Sequence, residues 1–286
     1  MRWEGGRQSS NIEDRRGRRM SGPVGLGGGG IGTLLVVLLV SWLTGTNPLT
    51  LLQVADQLPS SGAEDPATGP PAGDKTTAFL GVVLADLEDT WARIFTASGQ
   101  RYQPPVLVLF NDAVASACGT ASSATGPFYC PGDQKVYLDL SFFRELDERF
   151  GAPGDFAQAY VVAHEVGHHV QNLLGTSGRV SRAQGQASEA RANALSVGLE
   201  LQADCFAGVW GYHAERHQLL EPGDVDEGLR AAAAIGDDRL QRQAGGRVAP
   251  ESFTHGTSAQ RAEWLRKGLV SGRIDDCAVP TMGSTR

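Results

Sequence analysis

Tyr160-Val161-Val162-Ala163-His164-Glu165-Val166-Gly167-His168-His169-Val170 is the stretch on which the reading of this chain turns. It sets His-Glu-x-x-His inside an apolar, helix-compatible run. Residues four apart share one face of a helix, with about 5–6 Å between their Cβ atoms. Two imidazoles at that spacing converge on one small cation. Glu165 follows the first and can reach a water beside the cation without ligating it. Two histidines and a carboxylate base are what metal-assisted hydrolysis requires. Three fixed letters also arise by chance, so the surroundings must carry the reading.

Those surroundings fit. Pro153-Gly154-Asp155 is a start signal with Asp155 as N-cap, and Gly175 is a stop. Tyr160, Val162, Val166, Val170 and Leu173 give the helix apolar neighbours. A protein zinc site takes three protein ligands and keeps a fourth position open. The third ligand expected is Glu200, in Glu200-Leu201-Gln202-Ala203-Asp204, on a second helical run from about Ser188 to His213. Asp204, one turn on, is placed to accept the other N–H of a ligating histidine and fix its tautomer.

His-Glu-Val-Gly-His followed by Glu-Leu-Gln-Ala-Asp resembles the gluzincin metallopeptidases, and the second motif is similar to that of HtpX-type membrane peptidases. The resemblance implies His164, His168 and Glu200 as ligands, Glu165 as general base and Asp204 as the partner of His164. Thr254-His255-Gly256-Thr257-Ser258-Ala259-Gln260-Arg261 resembles a His…Arg segment that those enzymes set near the transition state. It implies that His255, and with it Arg261, stabilises the developing oxyanion. Gly256 stands where those enzymes have proline. A resemblance to the bacterial neutral zinc metallopeptidases covers nearly the whole chain. It rests on Met1-Arg2-Trp3, Ser10 to Gly17, Gly126 to Pro131, Val136 to Phe143, Ala163 to Gln171 and Ile235 to Gln241. It implies one Zn²⁺ per chain and a peptide or protein substrate, and names no particular one.

At 286 residues the chain can hold one catalytic domain with additions. A net charge of −7 argues against a nucleic-acid partner, whose binder is normally basic. Residues 1–20 run against that balance, with Arg2, Arg7, Arg15, Arg16, Arg18 and Arg19 against three acids. A basic start of this kind reads as the flank of a membrane segment. No charge falls between Arg19 and Asp56, and Val24 to Leu43 supplies about the 20 residues that a spanning helix needs. An anchor over residues 24–45 is therefore expected, with a cleaved signal peptide and a buried helix as the alternatives. The positive-inside rule puts residues 1–23 in the cytoplasm and the catalytic part outside it. Residues 46–75, rich in Pro, Gly and Ser, read as a linker. Residues 76–286 read as the metallopeptidase domain.

Within that domain, Phe79 to Ala97 has helical apolar spacing, and Trp91 reads as packing. Val106 to Phe110 and Lys135 to Leu140 read as strands. By the zincin resemblance Lys135–Leu140, or a close neighbour, is the edge strand that takes an extended peptide. Ser141 to Phe150 reads as a short helix, Gly175 to Gln186 as a polar loop, and 221–243 as one helical stretch with Ala231–Ala234 closely packed. Ile235-Gly236-Asp237-Asp238 reads as capping, and Ser258 to Val270 as the last helix. The fold class is α+β: a helix-rich, zincin-like domain with a small β-sheet, preceded by one transmembrane helix.

Cys118, Cys130, Cys205 and Cys277 all follow the apolar segment. An even count in an extracytoplasmic domain points to disulfides. Three pairings are possible. The local Cys118–Cys130 link is favoured, worth about 3 kcal/mol in the chain-entropy model, and leaves Cys205–Cys277 to pin the tail. A cysteine zinc site is disfavoured because no CxxC pair exists. His169 reads as a neighbour of the site or a solvated residue, and His213 and His217 as surface histidines. Two other functions remain open on the sequence alone. One is a non-proteolytic, membrane-anchored adaptor, against which the intact Glu165 argues. The other is a zinc hydrolase of a non-protein amide such as a cell-wall cross-link.

Overall fold

The computed structural model describes residues 1–17 and 74–279. Among them the order is β1 (Ile12–Asp14), α1 (Lys75–Ala97), β2 (Val106–Phe110), β3 (Ala113–Ser116), β4 (Gly119–Ser122), β5 (Phe128–Cys130) and β6 (Lys135–Asp139). Helices then follow: α2 (Ser141–Glu148), α3 (Asp155–Leu173), α4 (Thr176–Gln184), α5 (Glu189–Arg216), α6 (Asp224–Ala234), α7 (Asp237–Gln243) and α8 (Ser258–Ser271). The class is α+β and helix-rich, as expected. No helix among the described residues is long and apolar enough to cross a membrane. The expected anchor at 24–45 lies outside the described residues, as does most of the linker.

One sheet runs β1-β2-β6-β5. β1, β2 and β6 are parallel, and β5 is antiparallel to β6. β6 therefore lies inside the sheet and β5 is the edge, so Lys135–Leu140 itself is not the edge strand and its neighbour Phe128–Cys130 is. That position also explains why Val136, Tyr137, Leu138 and Asp139 are all buried, despite their alternating pattern. β3 and β4 form a separate hairpin, tied to the tip of β5 by the Cys118–Cys130 disulfide.

Residues 1–16 do not form a separate polar segment. They belong to the same compact unit as the domain, with β1 as its outer parallel strand. Charge composition misled here because the arginines are used as partners within the fold. Arg7 pairs with Asp89, Arg15 with Glu13, and Arg16 with Asp14 and Asp74. Trp3 sets its ring edge against Phe79, 5.7 Å between centroids. The Met1 ammonium sits among Asp155, Glu221 and Asp224 at 2.7, 3.1 and 3.4 Å. Asp155 is thus the first residue of α3 rather than its cap; Gly154 caps, at φ 127°, where a Cβ would collide with Glu227.

The core forms where α1, α3, α5 and α6 meet. α1 opens on its N-cap Asp74 and buries Leu80, Val83, Leu84, Leu87 and Trp91. The expected loop at 175–186 is helix α4, whose Val180 and Thr176 are buried; its outward residues are polar, which hid the helix. The expected single helix over 221–243 breaks at Ile235-Gly236 into α6 and α7. The break is enforced: a Cβ on Gly236 would lie 2.2 Å from the backbone of Ser258. α5 and α8 approach just as closely, with Gly208 and Gly268 facing each other's backbones, and Cys205–Cys277 fastens the tail beyond α8 to α5.

Candidate metal centre and active-site cleft

The two histidines of the motif come to one place because α3 is buried almost all round and α5 crosses it closely. Gly167 makes the crossing possible: a Cβ there would stand 3.0 Å from the Ala203 carbonyl oxygen and 3.1 Å from its Cα. This contact brings Glu200 opposite the His pair. His164 Nε2 lies 3.1 Å from Glu200 Oε2, and His168 Nε2 lies 3.4 Å from Glu200 Oε1. Ligand atoms of His164, His168 and Glu200 all fall within 4.8 Å of one another. Tetrahedral zinc with bonds of about 2.1 Å spaces its ligand atoms by about 3.4 Å, so this donor set fits such an ion in kind and in size.

Both histidines present Nε2 because Nδ1 is engaged. Asp204 Oδ1 meets His164 Nδ1 at 2.9 Å. A carboxylate only accepts, so Nδ1 carries a proton and Nε2 is the nitrogen turned towards Glu200. Asp204 is fully buried, and its charge is held by Arg261, which donates from Nε (2.9 Å) and Nη2 (3.0 Å), and by the Tyr160 hydroxyl at 2.6 Å. Arg261 is thereby engaged with Asp204 rather than free in the cleft. It lies behind His164 and also borders the cleft, with Nη2 4.0 Å from Glu200 Oε2. His168 Nδ1 meets Gln171 Oε1 at 2.9 Å, and Gln171 Nε2 in turn donates to the Leu199 carbonyl at 2.7 Å. Gln171 went unread in the sequence, although its i+3 spacing from His168 was there to be noticed.

The electrostatics suit a cation. Burial opposes charge on His164, but Asp204 and Glu200 outweigh it and push its pKa up to about 10. Burial opposes charge on Glu200 too, and His168 and His164 outweigh it, holding the carboxyl well below the usual range. Glu165 differs. Burial pushes its pKa up against the pull of the two histidines, and its carboxylate has no hydrogen-bond partner among the described residues.

The cleft over these residues encloses about 1050 Å³. Phe128 and Tyr129 of the edge strand line it, as do Phe142, Phe150, Val161 and Leu240. His255 lines it as well. Its Nδ1 meets Asp237 Oδ1 at 3.1 Å, while Asp237 Oδ2 accepts from the amides of Thr254, His255 and Gly256 at 2.8, 2.6 and 3.0 Å. This cradle explains the departure at Gly256. The residue has φ 92° and donates its N–H, and proline can do neither. Asp237, read as capping, instead holds His255. The hydrogen bond that His255 donates to Asp237 raises the pKa of His255 against burial, and the charge of Glu200 adds to it.

Of the other three histidines, His217 is exposed as expected, while His169 and His213 lie deeper. His169 is fully buried and faces away from the metal ligands, with Nε2 on the Gln103 carbonyl at 2.6 Å and Nδ1 at 3.0 Å from the Tyr129 hydroxyl. It fixes the edge strand to α3. His217 has an acidic partner after all, Asp86 at 2.6 Å, and His213 keeps its Nε2 buried without one.

Residues 1–279 match the family model described as "Putative neutral zinc metallopeptidase". The chain belongs to that family. It is 49% identical to "Uncharacterized protein YpfJ" of Escherichia coli (strain K12), over 97% of this chain and 98% of that protein. It is 48% identical to "Uncharacterized protein Rv2575" of Mycobacterium tuberculosis (strain ATCC 25618 / H37Rv), over 62% of each. No solved structure matches. The family name implies zinc, and the His164–His168–Glu200 cluster is where the described residues offer a set of ligands for it. In a second acidic group, Asp155, Asp224 and Glu227, the two aspartates pair with the Met1 ammonium.

Proposed function

We propose that this protein is a zinc-dependent endopeptidase that holds one Zn²⁺ on His164, His168 and Glu200. One observation carries the reading: two Nε2 atoms and a carboxylate converge on one point, with an unpartnered, buried Glu165 beside them. When bound, zinc supplies Lewis acidity that acidifies a water and polarises a carbonyl. Glu165 takes the proton from the attacking water and hands it to the leaving amine. Its raised pKa suits both halves of that task. His255, protonated on both nitrogens while Asp237 holds Nδ1, offers Nε2–H to the oxygen that gains charge.

An extended peptide suits the cleft because β5 is an edge strand on its wall and can accept main-chain pairing. The apolar lining at Phe142, Phe150, Val161 and Leu240 favours a large apolar side chain. Association with a membrane through residues 24–45 is part of the same proposal, as is a peptide or protein substrate.

The test uses the full chain in detergent, because a version starting at Lys75 would lack β1. Wild type and Glu165→Gln are loaded with zinc and given a peptide mixture, and fragments are followed by mass spectrometry. Equal zinc content with turnover about 10²–10⁴-fold lower in the variant is expected. Equal cleavage by both would sink the mechanism.

A further inference from the structure

We infer that residues 1–16 and the metal-site domain lie on the same side of any membrane this protein enters. The basis is a clasp. Arg16 Nη1 lies 2.7 Å from Asp74 Oδ2, while its Nη2 holds Asp14 Oδ2 at 2.6 Å and Thr77 Oγ1 at 2.9 Å. Asp74 is also the N-cap of α1, accepting from the Thr76 and Thr77 amides. The last residue before the intervening stretch and the first after it are thus bonded to each other.

That closure has a consequence of parity. One crossing of a bilayer carries the chain through about 30 Å of hydrocarbon and leaves its ends on opposite faces. Ends joined by a 2.7 Å ion pair are incompatible with one crossing, or with any odd number.

The clasp is not an isolated contact that a membrane could simply separate. Leu107 N donates to Asn11 O at 2.8 Å and Arg15 N to Leu109 O at 2.7 Å, completing the parallel ladder of β1 on β2. Ser9 N donates to Gly81 O at 2.9 Å, and the Glu88 carboxylate accepts from Ser9 Oγ and Asn11 Nδ2 at 2.5 and 2.7 Å. Gly81 has no side chain where that of Gln8 lies; a Cβ there would be 3.3 Å from Gln8. Removing residues 1–16 to the far side of a bilayer would leave β2 as a bare edge and Glu88 without these partners. The arginines that read as topogenic charge are partners in the fold: Arg7, Arg15 and Arg16 each answer a carboxylate in the same unit.

Cysteine chemistry provides the test, because all four native cysteines are paired and a single added thiol is the only reactive one. Glu4→Cys reports on the N-terminal segment and Val270→Cys on α8; both positions are exposed. Each full-length variant is expressed in bacterial cells and treated with a membrane-impermeant maleimide before and after lysis, with a denatured sample setting the total. The expected result is the same labelled fraction at both sites, whether high in intact cells or high only after lysis. A split overturns the inference: Val270→Cys labelled in intact cells and Glu4→Cys only after lysis, or the reverse. The readout needs no peptidase activity, so it stands or falls apart from the zinc reading.

Discussion

His164 and His255 each meet an aspartate through Nδ1, at 2.9 and 3.1 Å, yet the two pairs are built in different ways. His164 stands on one long helix and Asp204 on another, and the pair is sealed under Arg261 and Tyr160. His255 stands on a loop that hangs from Asp237 by three backbone amides, and its side chain is 51% exposed. The difference matches two kinds of work. A metal ligand must be held still in one tautomer, which buried helices and a charged network achieve. A group that meets a changing charge on a substrate must be reachable from the cleft, and a short irregular segment offers that.

The sharpest way to break this comparison is Asp204→Ala. It removes the acceptor of His164 and leaves the Arg261 guanidinium, 2% exposed, with only the more distant Glu200 carboxylate at 4.0 Å. Stripping one partner from a buried ion pair costs about 3–5 kcal/mol, and loss of a ligand's partner weakens metal binding about 10–100-fold. Chemical denaturation and zinc competition should show both losses together. A variant that folds and takes up zinc like wild type would mean that the buried pair is not the scaffold of the metal site.

The same comparison explains what could be read without coordinates. His164, Glu165 and His168 are legible because helical spacing alone puts them together, and Glu200 with Asp204 repeats that spacing on a second helix. Asp237 is not legible. It lies 18 residues from His255, at the start of a short helix, and only the break at Gly236 and the positive φ of Gly256 bring the two together. Residues 1–16 were misread for a related reason. Local composition shows many arginines, but the acids that answer them, such as Asp74 and Asp89, are far away in sequence. Which strand, β6 or its neighbour β5, forms the edge is not legible, because a strand's neighbours are a property of the sheet, not of the strand.

His255→Ala tests whether the two pairs are separable. The side chain is half exposed and touches no proposed ligand, so stability should change by less than about 0.5 kcal/mol and zinc content should stay at one per chain. Loss of one oxyanion donor lowers turnover by about 10²–10³. Steady-state kinetics beside metal analysis checks both halves. A fall in zinc content would merge the two pairs into one unit and remove the division of labour argued above.

Asp237→Asn carries the smallest effect and the most specific one. The hydrogen bond that His255 donates to Asp237 raises the pKa of His255 above its ordinary value of 6.5. The doubly protonated imidazole is then complete below that ordinary value, persists beyond it, and disappears as pH rises through the raised one. Activity that depends on Nε2–H therefore falls on the alkaline side, at a pH above 6.5. Asparagine can still accept from the loop amides but carries no charge, so the alkaline limb of kcat/KM should move to lower pH. The acid limb, set by Glu165, should stay where it is, since Asp237 is not among the charges acting on that residue. A pH profile in which both limbs move together would point to a general loosening of the cleft. One in which neither moves would leave His255 outside the proton chemistry, and with it the contrast between a buried pair that holds and an exposed pair that responds.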